Sequence, residues 1–116
     1  MPRVTQPGRK DLFPGALEMM VLRTLQRQPL HGYALAQQIK RTSNELLQIE
    51  EGSLYPALQR MLKHGWLKAH WGVSSSSRRV RIYEITRAGA KRLEVEVSSF
   101  ERMLEGIRLV LAPEKS

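Results

Sequence analysis

The feature that most constrains the fold is an apolar run in the last quarter of the sequence. Leu93, Val97, Phe100, Leu104, Ile107 and Leu111 are spaced four, three, four, three, four, the seam of a coiled coil. Thr86 is a suitable N-cap and Pro113 a stop, so the spacing predicts one helix from about Arg87 to Leu111. At roughly 1.5 Å per residue this helix is about 35 Å long. A chain of 116 residues is expected to be one domain too small to cover such a stripe. The seam therefore calls for a second copy of the chain. The alternative is that the helix folds back on its own domain.

The middle of the chain supplies a second constraint. In EEGSLYPALQRMLKHGW, residues Leu54, Leu58, Met61 and Leu62 recur at helical spacing from about Gly52 and form a packing stripe. Pro56, Gln59, Arg60 and Lys63 lie opposite, with Ser53 and Tyr55 on the flanks. Proline lacks an N–H and suits a first turn, so the helix is expected to begin within about three residues of Pro56. Gly65 suits the left-handed residue that stops it. A helix with a cationic, hydrogen-bonding outer face fits a DNA groove.

Charge sharpens that reading. The chain carries a formal +8, and between Gly52 and Tyr83 there is no Asp or Glu, whereas Arg60, Lys63, Lys68, Arg78, Arg79 and Arg81 all lie there. Solvated surfaces usually interleave signs. Charge of one sign over such a span points to phosphate contact.

Taken in order, residues 1–10 read as a flexible basic arm and residues 112–116 as a tail, with a DNA-binding unit over 11–86 and the long helix over 87–111 between them. A first helix is expected from Asp11 or Pro14 to Gln28. Leu17, Met20, Val21 and Leu25 form one stripe of it, while Met19 and Leu22 point elsewhere. A helix apolar on two sides is either buried within its own domain or shared with a second subunit, and in so small a domain Met19 and Leu22 are expected to meet the second subunit. Leu30 to Gly32 break the chain before a second helix, Tyr33 to about Thr42. After Gly65, Trp66 to Trp71 and Arg78 to Ile85 read as strands of a hairpin, with Gly72 to Ser77 as its loop. Either alternate set of the second strand, Arg79, Arg81, Tyr83 and Ile85 or Val80, Ile82 and Glu84, suits the inward face. The fold class is mainly α with a small β-hairpin: a winged helix-turn-helix followed by a long dimerisation helix.

Other classes find little support. There is no cysteine, so a disulfide framework and a thiolate metal site are excluded and a reducing cytoplasm fits. No apolar run approaches the roughly 20 residues of a membrane span. His31, His64 and His70 match no metal spacing, and no Ser–His–Asp order is recognisable, so neither catalysis nor a cofactor is expected. Ser74 to Ser77 read as loop residues.

The pieces GALEMMVL (15–22), HGYALAQQI (31–39), EEGSLYPALQRM with GWL (50–67) and RRVRIYEITRAG (78–89) resemble the PadR family of bacterial transcriptional regulators. The resemblance implies a homodimer, joined through its first and last helices, that binds a palindromic operator in double-stranded DNA, usually as a repressor. It implies a compact form with a single C-terminal helix. It places Ser53, Tyr55 and Pro56 at the DNA surface with Arg60 and Lys63 beside them, Tyr33 at the backbone, and Arg78, Arg79 and Arg81 on the wing. Gln59 belongs with the base-reading candidates. Related proteins respond to phenolic acids or flat lipophilic drugs, and the register puts the ligand-stacking aromatic at Phe100, where drug-binding members carry tryptophan. Leu62 stands where the family commonly has an acidic residue. The rival reading is a winged-helix module for RNA or protein contact.

Overall fold

The structure is a computed structural model that describes residues 15–114. The expected arm over 1–10 and the expected helix start at Asp11 or Pro14 lie outside the described residues. Among the described residues four helices and three short strands follow in the order α1 (Ala16–Arg27), β1 (Leu30–His31), α2 (Gly32–Thr42), α3 (Glu51–Lys63), β2 (Leu67–Val73), β3 (Arg79–Ile85) and α4 (Arg87–Leu111). The strands form one antiparallel sheet in the order β1-β3-β2. The expected hairpin is present, and β1 adds to it a strand that sequence reading passed over as a break. Leu30 pairs with Tyr83 and His31 with Ile82, so the start of α2 is tied to the wing.

The core lies where α1, α2 and α3 meet. Val21, Leu22 and Leu25 of α1, Leu35 and Ile39 of α2, and Leu54, Ala57, Leu58 and Met61 of α3 are buried together. Leu22 corrects an expectation. Its place on the second apolar side of α1 suggests a partner-facing residue, but it is fully buried in this chain's own core, because α2, α3 and α4 enclose α1 on more than one side. Met19 is only partly buried against the same cluster. In α3 the fourth member of the buried stripe is Ala57, and Leu62 is half-buried beside it.

The open choice on β3 is settled by register. Tyr83 is buried and Ile85 packs on the core, so the face of Arg79, Arg81, Tyr83 and Ile85 turns to the domain at its Tyr83–Ile85 end, while Arg79 and Arg81 at the other end of that face border a groove. Glu84 turns to the other face, where it lies 3.5 Å from Lys68 on β2.

Helix ends follow local chemistry. Gly65, at φ 79°, closes α3: its N–H bonds to the Leu62 carbonyl and that of Trp66 to Met61, the paired bonds of a Schellman motif. Asn44, at φ 55°, does the same for α2, with its N–H on Arg41 and that of Glu45 on Lys40. Thr86 caps α4 as expected, its hydroxyl accepting from the Gly89 N–H at 3.0 Å. That hydroxyl also donates to the Gly65 carbonyl at 2.6 Å, and the Thr86 N–H donates to Trp66 at 3.0 Å. The serine loop is structural: the Ser74 hydroxyl accepts from the Arg78 N–H, and the Ser74 N–H bonds to the Arg78 carbonyl.

The α4 stripe divides between two environments. Leu93 is buried and Val97 packs on the core, so the first part of the expected intermolecular seam is satisfied within the chain. Phe100, Leu104 and Ile107 are only partly buried, and Leu111 is 75% exposed. The helix continues past the body that its first half covers.

Gly89 sits where α4 crosses the end of α3. A Cβ there would lie 2.2 Å from the Trp66 carbonyl oxygen, a backbone atom that cannot swing away. Gly89→Ala is therefore expected to cost about 1–3 kcal/mol. Thermal unfolding followed by circular dichroism should show a midpoint lowered by at least several degrees.

Candidate nucleic-acid interface

The arrangement of α3 follows from its packing. With Leu54, Ala57, Leu58 and Met61 turned inward, the helical period sends Pro56, Gln59 and Lys63 to the opposite side, and all three are exposed. Pro56 departs from expectation. The helix starts at Glu51, so proline falls in the second turn rather than the first. The bond it cannot make is to the carbonyl of Gly52, and both residues are exposed, so water can satisfy that oxygen.

Tyr55 leaves α3 on the side of α2 and lies across Gly32, the first residue of that helix. A Cβ on Gly32 would meet the Tyr55 hydroxyl oxygen at 2.5 Å and the ring edge just beyond, so this glycine makes room for the tyrosine. Burial, with smaller contributions from Glu51 and Tyr83, pushes the Tyr55 phenol above its ordinary value. The hydroxyl therefore stays neutral and able to donate at physiological pH.

Between α2, the start of α3 and the wing runs a groove of about 750 Å³. Tyr33, Gln37 and Arg41 line it from α2, Tyr55 from α3, and Trp71, Arg78, Arg79 and Arg81 from the wing. Its lining contains no carboxylate. The structure thus gathers Tyr33, Tyr55 and the three wing arginines around one concave basic surface. Ser53 is half-buried on the other flank of α3, and Gln59 and Lys63 extend the outer face.

Arg60 does not join that set. Its guanidinium donates to Glu18 of α1 at 2.9 Å, beside a second recess lined by His64, Trp66, Arg92 and Glu96. There His64 stacks on Trp66 at 4.5 Å, and Arg92 lies over the same indole at 4.8 Å. Helical period alone would keep Arg60 near Pro56, four residues before it. The ion pair with Glu18 draws its side chain toward α1 instead, a direction that sequence spacing does not reveal.

Sequence reading missed Trp71, Gln37 and Arg41. Trp71 was read only as the end of a strand, yet it stands beside Arg79 and Arg81 on the groove side of the sheet. Its parity with those arginines was accessible only with the β2–β3 register, in which Trp71 pairs with Arg81. A separate cleft of about 260 Å³ has Met19, Met20, Ile39, Leu47 and Val97 in its lining, together with Arg23 and Arg27.

Three helices with a basic, strand-paired wing beside the third define a winged helix-turn-helix, a class of DNA-binding domain. The chain belongs to the transcriptional regulator PadR-like family, whose model matches residues 21–95. It is 30% identical over 103 residues to an uncharacterised protein of Lysinibacillus sphaericus, covering 89% of this chain and 94% of that one. Among solved structures it is similar to a transcriptional regulator from Clostridium thermocellum, with TM-score 0.80 and 26% identity over 89% of this chain and all of the other. It also resembles a PadR family transcriptional regulator from Eggerthella lenta, with TM-score 0.72 and 29% identity over 87% and 86% of the two chains. The family comprises DNA-binding regulators of transcription rather than enzymes. Among the described residues no helix is long and apolar enough to cross a membrane.

The raised Tyr55 phenol has a pH signature. Above about pH 10 the unfolded chain releases this proton before the folded one does, so folding stability falls as pH rises past that point. Denaturant unfolding between pH 8 and 11 should show a steeper alkaline loss for the parent than for Tyr55→Phe.

Proposed function

We propose that the protein is a homodimeric repressor that binds a palindromic operator. The observation that carries this reading is the acid-free groove, bordered by Tyr33 of α2, Tyr55 of α3 and the wing arginines. Beside it, the second half of α4 runs on beyond the core with Phe100, Leu104 and Ile107 partly buried and Leu111 exposed. Two α3 helices would enter successive major grooves about 34 Å apart. Ser53, Tyr55 and Gln59 are assigned to base edges. Pro56, Lys63, Tyr33, Arg78, Arg79 and Arg81 are assigned to the sugar-phosphate backbone. Arg60 joins them at the margin by exchanging Glu18 for a phosphate.

Pairing is assigned to Phe100, Leu104, Ile107 and Leu111, with Met19 beside them at the α1 surface and Leu93 and Val97 anchoring each α4 to its own domain. A small aromatic or lipophilic effector is assigned to the dimer centre near Phe100. Such a ligand acts only by binding the DNA-competent and incompetent dimers unequally. Footprints on the DNA upstream of the protein's own gene, with and without aromatic compounds, test both operator binding and release.

If about six phosphates are neutralised per dimer, log K is expected to fall against log salt with a slope near −5. Arg79→Ala should weaken binding to every duplex alike, whereas Gln59→Ala should change sequence preference; equal relaxation by both would refute this division of roles. Leu104→Glu is expected to give monomers that no longer hold the operator. Sedimentation that still found a dimer would remove the α4 seam from the proposal.

A further inference from the structure

We propose that Trp71 is a positioning residue of the wing, a platform that holds Arg79 and Arg81 poised for the duplex. The inference rests on the assignment of the wing to the DNA interface. In the antiparallel register Trp71 lies opposite Arg81 and Val73 opposite Arg79, so the indole and both guanidinium groups occupy one face of the sheet. The Arg79 guanidinium carbon is 4.4 Å from the indole centroid and that of Arg81 is 5.4 Å away. Trp71 itself is 56% exposed, so it contributes less than a core residue to the fold.

The chemistry of this contact differs from that of an ion pair. A carboxylate would occupy the N–H donors of an arginine, as Glu18 does for Arg60. Among the described residues the ion pairs are Arg60–Glu18, Lys68–Glu84 and Arg92–Glu96, so neither Arg79 nor Arg81 is engaged in that way. An aromatic face attracts the cation while leaving the donors at the guanidinium edge free. The indole thus removes rotamer freedom from two long side chains without using the groups that a phosphate needs. An exposed tryptophan between two arginines, on the groove side of a wing, is accounted for by this arrangement.

The test is a mutant cycle on duplex affinity, measured by fluorescence anisotropy with the full chain. Trp71→Ala is expected to weaken binding about fivefold to thirtyfold, the added cost of ordering two long side chains that the indole no longer holds. Trp71→Phe should recover most of that loss. The salt slope should stay at the parent value in Trp71→Ala, because the same charges still reach the phosphates, and should fall by roughly one per arginine removed. With Arg79→Ala and Arg81→Ala already in place, Trp71→Ala should add less than about a twofold change. An equal Trp71 loss with and without the arginines would overturn the proposal in favour of direct contact between indole and DNA, and an unchanged affinity would overturn it outright.

A DNA-independent arm separates this proposal from the reading beneath it. In a Trp66→Phe background, emission from Trp71 should shift when both arginines become alanine. Unchanged emission with DNA binding intact would overturn the platform alone, whereas a parent that binds no duplex would overturn the wing's assignment as well. Thermal midpoints close to that of the parent are expected for the Trp71, Arg79 and Arg81 variants, and the emission variants are compared with the Trp66→Phe chain itself.

Discussion

The functional geometry depends on one junction. Thr86 caps α4, and the same hydroxyl reaches back to the carbonyl of Gly65, the residue that ends α3; its N–H meets the carbonyl of Trp66. Gly89 lets the first turn of α4 approach that carbonyl more closely than any side chain would permit. The end of the third helix, the foot of the wing and the start of the long helix are therefore locked into one body. The junction works together with Leu93 and Val97, which pack α4 on the core, to set the angle between the groove and α4.

Within that body, charge is sorted by geometry more than by composition. The acid-free span from Gly52 to Tyr83 includes cations with different fates. Lys68 turns to the outer sheet face beside Glu84, and Arg60 leans onto α1 beside Glu18. Arg78, Arg79 and Arg81 line the groove, with no carboxylate among its lining residues. Exposed ion pairs contribute little stability. Their larger effect is to set which cations face the groove unpaired.

Much of this was legible in the sequence, and the remainder has a common cause. Periodicity located α3 and α4, and the special residues Gly65 and Thr86 marked their ends, because helices and caps depend on residues close in sequence. Strand β1 was missed because two residues carry no period; it exists only because Tyr83 and Ile82, some fifty residues away, offer a partner edge. Leu22 and Leu93 showed apolar character, but which neighbour covers an apolar residue is decided by packing across the domain. The same holds for Trp71 and Arg60: their types were visible, whereas their partners come from strand register and helix rotation.

The two halves of α4 have different surroundings. Leu93 and Val97 hold its first half to the core, so that half moves with the wing and α3. The second half, from Phe100 to Leu111, extends from that body as a lever. In the proposed dimer, the crossing of two such levers sets the distance between the two α3 helices. In such a dimer a rotation at the seam would reach the grooves through the Thr86 junction, which bonds the start of α4 to the end of α3. A ligand near Phe100 would need no contact with the DNA-facing residues to change operator affinity; it would need only to favour one crossing of the levers over another.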